Sequence, residues 1–260
     1  MKSESSDPRQ LLDTVQENGT LVVVFANSEY QTVLDRWLDA IEPLGVRNYV
    51  VVALDQTLWE EMARREIAVL YRPCPANLES LWVHRTDVLL ELLEAGYNLV
   101  HSDADALWLK NPLDDFIYDK GHDLIFSPGT YWPPEVHSEW GFVLCCGFFY
   151  AQCNAQTLAF FTELAQAVRI DRDDQICVNR LLLERGLSWE SQDSYELVIR
   201  GKSVKYFTGP AEGNAGELNV CVLPHAQFQR LPAAEDDLYI QHWLSDKSAL
   251  SKQEVINPGI

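Results

Sequence analysis

Apolar residues recur in a regular order along the first hundred positions. Residues 20–26 (Thr-Leu-Val-Val-Val-Phe-Ala) form an unbroken, β-branched run of the kind found in strands covered on both faces. Tyr30, Val33, Leu34, Trp37, Leu38 and Ile41 follow at i, i+3, i+4, i+7, i+8 and i+11, one stripe of a helix, which Pro43 and Gly45 bring to an end. A second run at 49–54 stops at Asp55, a polar helix is predicted over 58–65, and a short third run occupies 68–71. Strand and helix alternate at the spacing of right-handed βαβ units, which predicts an α/β fold with a mainly parallel sheet.

The stretch 81–94 carries apolar residues at 81, 88, 89, 92 and 93, with Gly96 where a helix C-cap belongs. Residues 98–102 then make a short strand that runs into Asp103-Ala104-Asp105. Further on the pattern loosens into a strand at 124–126, a Pro/Gly/Trp loop at 127–139 and an apolar strand at 141–151 broken by Gly147. Asn154 is the predicted N-cap of a helix with Leu158, Phe161, Leu164, Ala165 and Val168 inward, and Asp173 or Asp174 caps another that runs to about Arg185. Short strands at 196–199, 220–223 and 238–241 complete the chain, with no internal repeat and no low-complexity linker.

Composition narrows the classes. With 47% apolar residues and 8 Trp, the 260 residues suffice for a large core, which excludes disordered and coiled-coil classes. The balance of 20 Lys+Arg against 39 Asp+Glu, a net charge of −19, repels phosphate backbones and anionic lipid, so nucleic-acid and peripheral-membrane partners are not expected. An anionic ligand must then be held by a few local cations or by a metal. The 6 cysteines (Cys74, Cys145, Cys146, Cys153, Cys177, Cys221) show no CxxC spacing and read as reduced thiols rather than disulfides or a zinc site. The first residues lack an apolar leader region, and no apolar run approaches the ~20 residues of a membrane span, so the expected location is cytoplasmic.

The sharpest local chemistry is the pair Asp103 and Asp105. Ligands of open α/β sheets sit outside the carboxyl ends of the strands, where two carboxylates two residues apart can reach one divalent ion. The alternative is a solvated turn in an acidic chain. The context favours chemistry: an apolar strand precedes the pair, Arg85 lies on the helix before it, and Trp108-Leu109-Lys110-Asn111-Pro112 forms an amphipathic exit that packs the turn down.

Residues 100–112 (Val-His-Ser-Asp-Ala-Asp-Ala-Leu-Trp-Leu-Lys-Asn-Pro) and the helix and Gly turn at 87–98 resemble the metal-bearing segment of nucleotide-diphospho-sugar transferases. The likeness is to plant arabinosyl- and xylosyltransferases and, more distantly, to glycogenin-like retaining enzymes, and it extends over about 20–250. It implies a single GT-A domain with a Rossmann-like nucleotide and metal half (20–112) and an acceptor half (113–250), between a polar lead at 1–19 and a tail at 251–260. It also implies a UDP-sugar donor and a divalent cation, manganese or magnesium, held by Asp103 and Asp105.

Two further segments match in chain order. Asp174-Gln175-Ile176-Cys177-Val178-Asn179 resembles the family's D-Q-x-x-x-N segment, which makes Asp174 and Gln175 the catalytic candidates. An amide braces an oxocarbenium-like centre but is a poor nucleophile, so same-face attack and retention are implied; a capped helix N-terminus is the plain alternative. His242, in Gln241-His242-Trp243-Leu244-Ser245-Asp246-Lys247, is similar to the family's late H-x-x-G-x-x-K region and is the implied third metal ligand, with Lys247 on the diphosphate. Ser245 stands where Gly is usual, and the lysine is one residue closer. At 144–150 Cys145 takes the place of an amide expected to bond sugar or acceptor. Ala26, Asn27, Asp55, Arg85, Ser102 and Ala104 complete the implied donor site, although Asn27 and Asp55 are equally good helix caps and Arg85 a good partner for a carboxylate. The acceptor is not readable: Tyr131-Trp132-Pro133-Pro134 and Trp140 suit either stacking on a sugar or packing. Two other readings stay open, a degenerate GT-A binding module and a haloacid-dehalogenase-like phosphatase, although Leu107 stands where the latter needs a small Thr or Val.

Overall fold

The computed structural model describes residues 7–231 and 237–242. After α1 (Pro8–Val15), the predicted alternation unfolds as β1 (Thr20–Ala26), α2 (Gln31–Ile41), β2 (Tyr49–Ala53), α3 (Gln56–Arg64), β3 (Val69–Tyr71), α4 (Leu78–Glu94) and β4 (Asn98–Ser102). β1 is buried along its whole length, and α2 buries Val33, Leu34, Trp37, Leu38 and Ile41, while Tyr30 stays outside as the N-cap residue. Helix starts are set by caps. The Asp55 side chain accepts from Leu58 N–H, so α3 begins two residues earlier than its apolar pattern, and Asn77 does the same for α4 three residues earlier.

The chain continues through β5 (Leu107–Trp108), β6 (Leu124–Pro128), α5 (Pro134–Trp140), β7 (Leu144–Ala151), α6 (Ala155–Asp171), α7 (Asp174–Glu184), β8 (Ser188–Trp189), β9 (Ser194–Ile199), β10 (Lys202–Phe207), β11 (Ala211–Ala215), β12 (Leu218–Val222), β13 (Phe228–Gln229) and β14 (Ile240–Gln241). Asn154 caps α6 as predicted, and of the two aspartates it is Asp173 that caps α7. The expected loop at 127–139 instead contains α5, since Pro134 occupies a first-turn position that needs no N–H and Gly141 closes the helix at φ 81°. The hairpin partner β10 and the polar β11 (Ala-Glu-Gly-Asn-Ala) go beyond the predicted strands, for their sequences lack a sustained apolar alternation.

The central sheet has nine strands in the order β3-β2-β1-β4-β7-β6-β12-β11-β8. Only β7 and β11 run against the other seven, as the pairings show. β1 divides its side chains between two cores: Leu21, Val23 and Phe25 face the layer that includes α4, α6 and α7, and Val22, Val24 and Ala26 face the layer that includes α2 and α3. Burial of each such aliphatic side chain stabilises by about 1.5–3 kcal/mol, so β1 and β4 are rigid supports for the turns at their carboxyl ends. All six cysteines are free thiols, four of them buried. Among the described residues no helix is long and apolar enough to cross a membrane.

Candidate active site

A cavity of about 710 Å³ opens at the carboxyl ends of β1 and β4, as expected for an open α/β sheet. Because β7 is antiparallel to β4, its first residues, Cys145, Cys146 and Gly147, reach the same edge, as does Asp174 at the start of α7. A second, polar cavity of about 670 Å³, around Thr20, Asn98 and Tyr118, contains none of the candidate residues.

The Asp103–Asp105 turn is pinned from below. Trp37 and Trp108 each donate an indole N–H to Ser102 Oγ at 3.1 Å, Ser102 Oγ donates to the Asp103 carbonyl at 3.1 Å, and Asp103 N–H donates to the Gly147 carbonyl at 2.7 Å. This corrects the donor-binding expectation for Ser102: its side chain is fully buried, and its hydroxyl is an anchor for two tryptophans. Trp108 does hold the turn down as predicted, whereas Leu109 is exposed.

His242 arrives by a strand pairing. β14 lies antiparallel to β5, with Ile240 opposite Trp108 and Gln241 opposite Leu107, and parallel to β13 on its other side. The next residue is therefore delivered to the turn: His242 Nε2 stands 3.5 Å from Asp105 Oδ1 and 3.7 Å from Asp103 Oδ2. These separations exceed a hydrogen bond, and one donor atom from each residue lies within 4.8 Å of the other two. Donors around a small hard cation at about 2.1 Å from it are roughly 3 Å apart, so two carboxylates and an imidazole at this spacing fit a divalent ion of the manganese or magnesium type. Gly147 provides the room. A Cβ there would fall 2.0 Å from His242 Cε1, 2.5 Å from His242 Nδ1 and 2.8 Å from Asp103 Oδ2. β7 runs on through this glycine, but its pairing with β6 slips here: Phe126 faces Phe149 and Ser127 faces Cys145.

Arg85 joins the two acidic segments. It donates through Nη1 to Asp103 Oδ1 at 2.8 Å, and through Nε at 2.8 Å and Nη2 to Asp174 Oδ2. The expectation that Arg85 reaches a diphosphate is thereby revised, because its guanidinium is buried and committed to carboxylates. Burial opposes charge on Asp103, but Arg85 and His101 outweigh it and hold that carboxyl well below its ordinary range. Tyr30 belongs by spacing to the helical stripe, yet it lines the cavity. Its hydroxyl is pushed above its usual range by burial and by the Asp105 and Asp103 charges.

Gln175 lines the cavity, accepting from Cys146 N–H at 3.4 Å and donating to the Trp132 carbonyl at 3.3 Å. Asn179, one helical turn on, clamps β7 by accepting from Leu144 N–H at 2.8 Å and donating to the Leu144 carbonyl at 2.9 Å, so it braces the segment on which Gln175 sits. Cys145 also lines the cavity, with Sγ 3.9 Å from His242 Nδ1. Burial pushes its thiol up, but Arg230 and His242 more than reverse this and bring it to about 6.

Among the remaining expectations, Ala26, Asn27 and Ala104 line the cavity. Asp55 does not: its Oδ1 accepts from Leu58 N–H at 2.8 Å and its Oδ2 from Ser28 N–H at 2.7 Å and Ser28 Oγ at 2.8 Å, so it ties the ends of β1 and β2 together. Its carboxyl is held low because these hydrogen bonds outweigh the effect of burial. Lys247 and the tail lie outside the described residues. Trp132 is 55% exposed at the rim, whereas Trp140 packs against Phe142 and Trp189 in the core. Arg230 is a lining residue that no sequence pattern singles out.

The chain is similar to known proteins in sequence and in fold. The chain is 27% identical over 208 residues to "Arabinosyltransferase RRA2" of Arabidopsis thaliana, a match covering 69% of this chain and 48% of that protein. It is 28% identical over 127 residues to "UDP-D-xylose:L-fucose alpha-1,3-D-xylosyltransferase 1" of the same plant, covering 44% and 34% respectively. The chain thus spans half or less of the length of these curated relatives. A solved glycosyltransferase involved in glycosylation of the major capsid of PBCV-1 has the same fold, with a TM-score of 0.50 and 10% identity over 91% of this chain and 98% of that one. The family model of nucleotide-diphospho-sugar transferases matches residues 44–252, and with it the phosphatase reading falls away: the chain belongs to the nucleotide-diphospho-sugar transferase family.

Proposed function

We propose that this chain transfers a sugar from a UDP-sugar to an acceptor hydroxyl, with retention at the anomeric carbon and with a divalent cation, manganese or magnesium. The observation that carries the reading is the convergence of Asp103, Asp105 and His242 at the edge of a cavity bounded by Ala26, Asn27 and Gln175. The word UDP in the name of the xylosyltransferase relative supports the choice of donor.

The cation would be held by one oxygen of each carboxylate and by His242 Nε2, and when bound it supplies Lewis-acid stabilisation of the negative charge on the departing diphosphate. The chain's own residues do the rest. Ala26 and Asn27, at the end of β1, provide the wall against which a nucleoside rests. Arg85 keeps Asp103 ionised and fixed, so that it is ready to coordinate. Gln175, held between Cys146 and Trp132, presents an amide that stabilises positive charge at the anomeric carbon without itself becoming a strong nucleophile, which favours attack by the acceptor on the same face. Trp132 at the rim is suited to stacking on an acceptor ring.

The direct test is UDP release from a panel of UDP-sugars, first with manganese and then with EDTA. The expected result is metal-dependent release from one donor, abolished in Asp105→Asn, which keeps the volume of the side chain while removing its charge. Manganese-dependent UDP binding without release from any donor would instead identify a degenerate binding module. Release that is indifferent to EDTA would remove the metal from the reading.

A further inference from the structure

Among the described residues the cavity lining carries little free positive charge for a diphosphate. Its lining includes the carboxylates of Glu29, Asp103, Asp105, Asp173 and Asp174, and its arginines are Arg85 and Arg230. Arg85 is consumed by Asp103 and Asp174. Arg230 is different. It directly follows β13, and its Nη1 donates to the His242 carbonyl at 2.7 Å, which fixes the guanidinium beside the candidate metal ligands. Its Nε is buried and has no hydrogen-bond partner among the described residues, and no carboxylate among them lies within ion-pair distance. Arg230 itself lines the cavity, alongside Cys145, Gly147 and His242.

With no acceptor on Nε and no carboxylate paired to it, the protein leaves the guanidinium charge uncompensated, and an anion in the cavity that Arg230 lines would offset that charge. A guanidinium also offers phosphate oxygens a planar fork of donors, and here one corner is already immobilised on the backbone. From this geometry we propose that Arg230 binds the diphosphate of the nucleotide donor directly, beside the Asp103–Asp105–His242 cluster. The assignment rests on the nucleotide-sugar reading, and its ligand class is a nucleoside diphosphate.

The test is calorimetry of UDP binding in manganese for the wild type, Arg230→Gln and Arg230→Lys, alongside titration of manganese alone and thermal unfolding of each protein. The expected result is UDP binding about 10- to 100-fold weaker in Arg230→Gln, an intermediate loss in Arg230→Lys, and unaltered manganese binding and unfolding temperature. UDP affinity within twofold of wild type in Arg230→Gln overturns the proposal. So does a parallel loss of manganese binding, which would mean that Arg230 acts by positioning His242. If the wild type binds none of UDP, GDP and ADP in manganese, the nucleotide-sugar reading itself fails and takes this assignment with it, whereas retained wild-type binding with an indifferent variant removes Arg230 alone.

Discussion

Gly147→Ala is expected to abolish manganese-dependent nucleotide binding in a protein that still folds. The added methyl would meet His242 Cε1 at 2.0 Å and Asp103 Oδ2 at 2.8 Å, while neither the turn nor β14 has room to retreat. Trp108, beneath the turn, is 1% exposed, and His242 N–H is tied to the Gln229 carbonyl at 2.9 Å. Overpacking of this kind costs about 1–3 kcal/mol, which a domain of this size survives. A metal site tolerates displacements of only about 0.2 Å, so ejecting the imidazole should weaken manganese binding by at least about 100-fold. The check is a manganese titration of Gly147→Ala, His242→Ala and the double variant. Since the imidazole is gone in His242→Ala, adding Gly147→Ala to it should cost less than it does in the wild type, the remaining cost coming from the contact with Asp103 Oδ2. Wild-type manganese affinity in Gly147→Ala would show that His242 is not a ligand.

The second large effect is on stability. Arg85→Met is expected to destabilise the fold by about 3–5 kcal/mol, because it leaves a buried carboxylate unpaired. Most of the cost falls on Asp174, whose side chain is 8% exposed, since Asp103, at 31%, is partly relieved by water. For a chain of this length the loss corresponds to a fall in Tm of roughly 10 °C. Adding Asp174→Leu should recover much of it, as the orphaned charge is removed with its partner. The measurement is thermal and urea unfolding of the single and double variants at pH 7. A loss under about 1 kcal/mol in Arg85→Met would mean that Asp174 is not held as a buried anion.

Much of the frame was legible because its signals are local. The limits of β1 derive from an uninterrupted apolar run, the place of the short β4 from its position between the Gly96 turn and the acidic pair, the inward face of α2 from a helical stripe, and the start of α6 from a capping residue. Asp103 and Asp105 were visible as candidates because they directly succeed a short strand. The resemblance added Asp174, Gln175 and His242, and the fold brings all five into one cavity. Other roles were hidden by distance along the chain. Ser102 and Asp55 look like polar groups poised at strand ends, and only their partners, two tryptophans in one case and the backbone N–H groups of Leu58 and Ser28 in the other, reveal them as anchors.

By itself, then, the sequence determined the α/β class, the place of the acidic pair at a strand's carboxyl end and the net acidity that obliges any phosphate ligand to find local cations. The tertiary structure decided which groups meet. The pairing of β14 with β5 carries His242 across more than a hundred residues to Asp105, the slip of β7 leaves Gly147 where no side chain fits, and the burial of Arg85 spends one cation, while among the described residues Arg230 Nε has no partner. The physical reason is that secondary structure arises from periodicities a few residues long, whereas coordination, ion pairing and steric exclusion depend on separations of a few ångströms between segments that only the folded sheet brings together.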